Sequence, residues 1–549
     1  MNQKLKIVYP IILAIAIAGG IFIGINLKVQ NTPSFNSNPA FLQSDKLSLM
    51  LRLIERDYVD SLNKGDIIES VIPDMLETLD PHSSYISASD MKAVSEEMRG
   101  NFSGIGVQFV MEHDTVLIVD VVSGGPSQKL GILSGDRIVK VEDQNIAGQN
   151  IESDSIVSML RGEKGTIVNI SVYRPGYNDL LDFEIERGEI PLYSIDAAYM
   201  ITTEIGLIKV NRFAESTYAE FVEAMENLAN QGAEKLIIDL RGNAGGSLQT
   251  VIQMVDEFLP KDRLIVYTEG KSRSRHNFYS TDGGVWTEKD VAVLIDEFSA
   301  SASEIFAGAI QDNDRGIIVG RRSFGKGLVQ EQIPFFDGSA LRLTVARFYT
   351  PSGRSIQKPY NNGNDEYYKD FQRRIEHNEL SIADSIQFDD SLRYTTIGGR
   401  PVFGGGGIMP DFFVPVDTIG VNDFFSAVAS KNMVYRYAFD YSDSNRNKLN
   451  SFESARKLVE YFEQQEVFAA FIDHVKNKEI TYTHKDYNEA VPLLKTQLYA
   501  YIARNIFGDD GFYQIYFEID KTVEKTIELM QQDWQPDKVA ELIYMQKNS

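Results

Sequence analysis

Two short segments of this chain gather hydroxyls, one amine and one amide among small and apolar residues. They are Ser299-Ala300-Ser301-Ala302-Ser303-Glu304 and Phe324-Gly325-Lys326-Gly327-Leu328-Val329-Gln330. A serine hydroxyl attacks a carbonyl when a base takes its proton. Lysine can be that base only when neutral, so its ordinary pKa near 10.4 must fall by several units. Burial in an apolar pocket lowers a lysine pKa by up to ~3–5 units, which is the size required. Gln330 suits the task of holding the amine, because an amide adds no negative charge; a carboxylate there would keep the lysine protonated. Either segment alone has a plainer explanation: an ordinary helix cap in the first, a solvated glycine turn in the second. The second is also not a phosphate loop, since the GxxxxGK[ST] spacing is missing.

The elements around these segments bear on the chemistry. The apolar run Val291–Ile295 reads as a buried strand and Ala302–Gln311 as a helix, which sets the serines on a strand-to-helix turn. At such a turn the first backbone N–H groups of the helix are free to stabilise an oxyanion. Around them, 190–359 alternates strand and helix: strands at Ile205–Val210, Lys235–Leu240 and Ile317–Val319, helices at Tyr218–Ala229 and Leu248–Phe258. That alternation predicts a layered α/β domain. Residues 360–395 are polar without apolar periodicity and read as a surface insertion.

Upstream, 101–187 carries short alternating strands (Val107–Val110, Val116–Val121, Arg137–Val141, Val168–Tyr173, Leu181–Ile185) and one helical stretch, Ser153–Leu160. A compact β-rich unit of this kind suits a peptide-binding module. Residues 41–100 show helical periodicity, broken by the turn Asp80-Pro81-His82-Ser83-Ser84-Tyr85, and 421–549 is largely helical.

Three motifs in order resemble those of the carboxyl-terminal processing (tail-specific) proteases. They are Asp239-Leu240-Arg241-Gly242-Asn243-Ala244-Gly245-Gly246, the SASASE run at 299–304, and FGKGLVQ at 324–330. Lys326 follows Ser301 at the interval of that family. The resemblance implies Ser301 as nucleophile, with Ser299 and Ser303 supporting it, Ser303 and Glu304 ordering the helix start, Lys326 as general base and Gln330 as its orienting partner. It also implies an oxyanion hole formed by the N–H of Ala302 and one from Gly245 or Gly246, with Gly245 preferred. No metal, nucleotide or other cofactor is implied.

The family carries a PDZ domain, and Ser103-Gly104-Ile105-Gly106-Val107 resembles its carboxylate-binding loop. Successive N–H groups of such a loop converge on a terminal carboxylate, and the following strand pairs with the ligand as an added strand. The chain departs from the family pattern at Ser127, Gln128 and Lys129, outside that loop, which puts specificity in doubt. Downstream, Gly404–Gly407 with Ile408-Met409-Pro410-Asp411 matches the family's GGxGIxPD segment, so the resemblance covers roughly 41–415.

The fold implied is a multidomain α+β chain: a membrane anchor or signal at 1–28, a helical amino-terminal part at 41–100, a PDZ domain at 101–187, a layered α/β protease core at 190–416 and a helical region at 421–549. With 549 residues the chain exceeds one hydrophobic core. Its net charge of −24 argues against nucleic acid as a natural partner. The absence of cysteine excludes disulfides and thiolate chemistry, and no two of the six histidines stand at HExxH spacing.

Lys4 and Lys6 precede the apolar run Ile7–Leu27, long enough as a helix to span about 30 Å. Either an uncleaved anchor or a cleaved signal exports the rest. The expected address is therefore the bacterial cell envelope: inner-membrane anchored and facing the periplasm, or secreted after cleavage. The expected activity is that of a serine endopeptidase cutting proteins near their carboxyl ends, its partners being proteins with free carboxyl-terminal tails. A non-catalytic scaffold that binds such tails is the alternative. An adaptor or a homo-oligomer stays open.

Overall fold

The computed structural model describes residues 46–532, apart from 123, 387–388 and 479. The segment read as an anchor or signal lies outside the described residues; among those described, no helix is long and apolar enough to cross a membrane. The chain divides into two compact units, 1–74 and 75–549. In the first, the helix Lys46–Asp57 buries none of its side chains.

The core is a six-stranded sheet in the order Ile195–Met200, Ile205–Val210, Lys235–Asp239, Asp290–Ile295, Ile317–Gly320, Phe412–Phe413. The first pair is antiparallel and the rest are parallel. Parallel strands joined by helices must bury both faces, so these strands are apolar at nearly every position. Ile208, Val210, Leu236 and Ile238 pack under the helices Thr217–Asn230, Leu248–Asp256 and Ala302–Asp312. Leu207, Ile237, Leu294 and Val319 point the other way, against Phe517, Val523, Leu529 and Met530.

That second layer comes from the carboxy-terminal region. Its last described helix, Lys521–Gln531, closes the core sheet, while the helices from Asp423 to Tyr516 form a separate aromatic-rich cluster. The protease core is therefore complete only with residues beyond 416.

A second sheet lies beside the core and has no counterpart among the strands expected from the sequence. Ser84–Ile86, Ala340–Tyr349, Leu264–Gly270 and Arg273–Tyr279 lie in that order, and Leu328–Pro334 also pairs with Ala340–Tyr349. Through this sheet the turn at 80–86 reaches the strand that carries Gln330. The β-rich unit forms a sheet ordered Val107–Glu112, Thr115–Val121, Arg137–Val141, Ile167–Tyr173, Leu181–Glu186, with the helix Ser153–Leu160 packed on its core. The strand Val107–Glu112 is its edge.

Candidate active site

Ser301 stands where the strand Asp290–Ile295 gives way to the helix Ala302–Asp312, with φ +53° and ψ −109°. A residue with a side chain held there costs of order 1–3 kcal/mol and persists only where its surroundings over-determine it. The surroundings are visible. Ser299 Oγ donates to Leu240 O at 2.8 Å, Ser303 Oγ to Asn243 O at 2.8 Å, and Ala300 N to Asn243 O at 3.0 Å. Both flanking serines thus fasten the turn to the segment 240–243.

The Lys326 loop is brought to the same place by Glu304. This buried carboxylate accepts from Ser323 Oγ (2.6 Å) and Gly325 N (2.7 Å) on Oε1, and from Ser301 N (2.9 Å) and Lys326 N (2.8 Å) on Oε2. Burial pushes its pKa above the usual carboxylate range, and the four donors work against that. Sequence reasoning gave Glu304 a part in the helix start; it also staples the two segments together.

Lys326 Nζ donates to Gln330 Oε1 at 3.1 Å, and Gln330 Nε2 donates to His82 O at 2.6 Å. The amide is oriented by having a partner at each end. No hydrogen bond among the described residues joins Lys326 Nζ to Ser301 Oγ. Burial lowers the Lys326 pKa, helped by the positive charge of Arg342 and opposed by Glu304 and Asp80.

Three further groups shape the site without a signal in the local sequence. Asp80 accepts from His82 N, Ser83 N, Ser83 Oγ and Thr344 Oγ1, pinning the turn that offers His82 O to Gln330. His82 Nε2 lies 2.7 Å from Tyr367 Oη, and burial with the nearby Lys326 charge pushes its pKa down to about 4. Arg374 donates to Ser323 O (2.8 Å) and Phe324 O (3.2 Å) and pairs with Asp370 at 3.0 Å. Tyr367 and Arg374 belong to 360–395, read above as a surface insertion. In the fold this segment clamps the Lys326 loop; its buried side chains, Tyr367, Arg374 and Ile386 among the described residues, are few and differ in type, so it shows no apolar period.

Of the proposed oxyanion donors, Ala302 N–H donates to no group among the described residues. Gly245 N–H is committed to Asn243 Oδ1 at 2.9 Å, whereas Gly246 N–H donates to no group among the described residues. The preference for Gly245 therefore passes to Gly246. Gly245 is still required as glycine: at φ +104° a Cβ would sit 2.8 Å from both Ala300 O and Ser301 Cβ.

Ser103, Gly104, Ile105, Gly106 and Val107 form a separate site in the β-rich unit. Ile105 O accepts from Ser127 Oγ (2.6 Å) and Ser127 N (3.1 Å), and Gly106 O from Val122 N (3.0 Å). With these carbonyls turned inward, the N–H groups of Ile105 and Gly106 have no acceptor among the described residues. Gly106 has φ +76°, which favours glycine. Ser127, one of the departures outside the loop in sequence, is buried and fastens it.

The profile of peptidase family S41 matches residues 204–363, that of a PDZ domain 103–186, and that of a family of unknown function 424–508. The carboxy-terminal processing protease CtpB of Bacillus subtilis is 34% identical over 372 residues, covering 65% of this chain and 76% of its own. The carboxy-terminal-processing protease of Bartonella bacilliformis is 35% identical over 344 residues, covering 62% and 78%. The solved photosystem II D1 C-terminal processing protease aligns over 57% of this chain and 90% of its own, at 25% identity and a TM-score of 0.32, too low to argue a shared domain arrangement. On sequence the protease reading prevails over that of a non-catalytic scaffold: this chain belongs to the carboxy-terminal processing proteases, serine peptidases of family S41 that carry a PDZ domain.

Proposed function

We propose that the chain captures the free carboxyl end of a protein on its PDZ domain and cleaves that protein with a Ser301–Lys326 dyad. The terminal carboxylate is held by the free N–H groups of Ile105 and Gly106, and the tail pairs with the edge strand Val107–Glu112. At the protease site the neutral Lys326 amine takes the Ser301 proton as Oγ attacks the carbonyl carbon. Gln330, held by His82 O, keeps the amine aimed. The carbonyl oxygen gains negative charge and is met by the N–H groups of Ala302 and Gly246. Collapse expels the amine, which takes the proton from Lys326, and leaves an acyl-enzyme. Water then attacks, giving its proton to Lys326, and the Ser301 hydroxyl is restored.

The observation that carries this reading is the Glu304 carboxylate, whose one oxygen accepts from both Ser301 and Lys326. A buried carboxyl group that satisfies four donors is an expensive device, and its effect is to keep the hydroxyl-bearing turn beside the amine-bearing loop. The apolar run Ile7–Leu27 supports an address in the bacterial cell envelope, with the catalytic part outside the cytoplasmic membrane.

The test is cleavage of one reporter protein with its last residue either free or amidated. The reading predicts rapid cleavage of the free form and at least tenfold slower cleavage of the amidated one. Equal rates would remove carboxylate capture from the account.

A further inference from the structure

The carboxy-terminal region, beyond covering the core sheet, touches the active-site machinery at one charged point. The segment Asp239–Gly246 leaves the core strand through Arg241. The Arg241 guanidinium folds back on Asp239 (Nε to Oδ1 3.0 Å, Nη2 to Oδ2 2.7 Å). Its remaining nitrogen, Nη1, donates to both oxygens of Asp520 at 3.1 and 2.9 Å, and its centre lies 5.4 Å from the Phe517 ring. Lys209 Nζ lies 3.7 Å from Asp239 Oδ1 and donates to Arg241 O at 3.0 Å. Two cations thus face two carboxylates in a place where Asp239 is fully buried and Arg241 and Asp520 are partly buried. Without Asp520 the group carries one uncompensated positive charge.

Arg241 is the first residue of the turn that ends at Gly246. Beyond it, Gly242 N donates to Asp296 Oδ1 (3.0 Å), and Asn243 O receives Ala300 N and Ser303 Oγ from the Ser301 turn. Gly245 O accepts from Phe213 N at 3.0 Å. The turn is held along its length by hydrogen bonds to the core, and at its entrance by Asp520, a residue far along the chain.

We propose that Asp520 is a positioning residue for catalysis: its carboxylate fixes Arg241 and, through it, the turn that offers Gly246 N–H to the oxyanion. The inference rests on the reading of Ser301, Ala302 and Gly246 given above. Misplacing a transition-state donor by about 1 Å costs on the order of a hundredfold in rate, so a small shift of this turn is enough to be measured. It gives the carboxy-terminal region a part in the chemistry: the helical layer completes the oxyanion turn.

Asp520 also caps the last described helix, its Oδ1 accepting from Thr522 N and Val523 N. Asparagine is an equally good cap but carries no charge, so Asp520→Asn separates the two roles. In the full chain, Asp520→Asn should lower kcat about tenfold to a hundredfold, with KM and tail-peptide affinity unchanged. Asp520→Glu restores the charge and should recover kcat to within about threefold. Asp520→Ser, which keeps a capping oxygen, replaces Asp520→Asn should the latter not fold, and kcat is taken per folded molecule, counted by tail-peptide binding. Wild-type kcat in the uncharged variants, or Asp520→Glu as slow as Asp520→Asn, overturns the inference. Activity surviving in Ser301→Ala would instead overturn the reading on which it rests.

Discussion

The backbone N–H of Lys326 donates to Glu304 at 2.8 Å, on the carboxylate oxygen that also receives the N–H of Ser301 at 2.9 Å. The hydroxyl of Ser301 and the amine of Lys326 belong to separate segments, and one buried side chain ties those segments together. Replacing Glu304 by glutamine keeps the shape but turns one acceptor into a donor. Each buried N–H left unsatisfied costs about 1–3 kcal/mol. Glu304→Gln should therefore lose stability in urea unfolding by at least that amount, and kcat by about a hundredfold. A variant with wild-type kcat would show that the staple is dispensable.

Gln330 is neutral, and the pH profile depends on that. Burial holds the Lys326 pKa below its ordinary value, and the proposed mechanism uses the unprotonated amine. Activity should rise with pH through that lowered pKa. In Gln330→Glu the new carboxylate stabilises the ammonium and raises the pKa, so the acid limb of kcat/KM must move to higher pH. Each unit of movement removes about tenfold of activity below the limb. A profile that stays put would separate Gln330 from Lys326.

His82 predicts a stability effect with little effect on chemistry. Its folded-state pKa is pushed down to about 4, mainly by burial, from an ordinary value of 6.5. The folded state therefore binds fewer protons than the unfolded state between those values. Stability is fully present above pH 6.5 and is lost as pH falls toward 4. His82→Gln should abolish this part of the acid loss, about 1–3 kcal/mol after allowance for solvent screening. Its kcat should stay within a few-fold, because the group that holds Gln330 is the backbone carbonyl. Thermal unfolding of both proteins from pH 4 to 7 measures it; parallel curves would contradict the assignment.

The PDZ loop separates tail capture from cleavage. Ser127→Ala removes the hydroxyl that donates to Ile105 O and should weaken tail-peptide binding about two- to tenfold, the worth of one hydrogen bond. Gly106→Ala forces a side chain to φ +76° and should weaken it about five- to thirtyfold. Cleavage of a short peptide lacking a tail should be unchanged in both. Fluorescence anisotropy with a labelled tail peptide reads the first effect, and peptide hydrolysis the second.

Much of this was legible in the sequence where local pattern carries the information. The strand Ile205–Val210 is apolar except at Lys209, and Lys235–Asp239 is apolar at its three central positions, because both their faces are covered. Ser301, Lys326 and Gln330 stand in short segments whose residue types allow the chemistry, while the roles assigned to them come from the resemblance of three ordered motifs. What escaped is held by partners distant along the chain. The strand Leu328–Pro334 alternates weakly and pairs with Ala340–Tyr349 largely exposed, so no clean period marks it. Arg374 in a polar insertion and Asp520 in a helical region look like ordinary surface charges until the fold sets them against the carbonyls of Ser323 and Phe324 and the guanidinium of Arg241. Gly245 and Gly246 could not be separated because the difference lies in one acceptor, Asn243 Oδ1.

The dyad itself is tested most directly by trapping the acyl-enzyme. An acid-quenched single turnover on a tail-bearing peptide, followed by peptide mapping by mass spectrometry, should find the acyl group on Ser301. It should find none in Ser301→Ala, and formation slowed at least a thousandfold in Lys326→Ala. An acyl group on any other residue, or undiminished turnover by Ser301→Ala, would contradict the account.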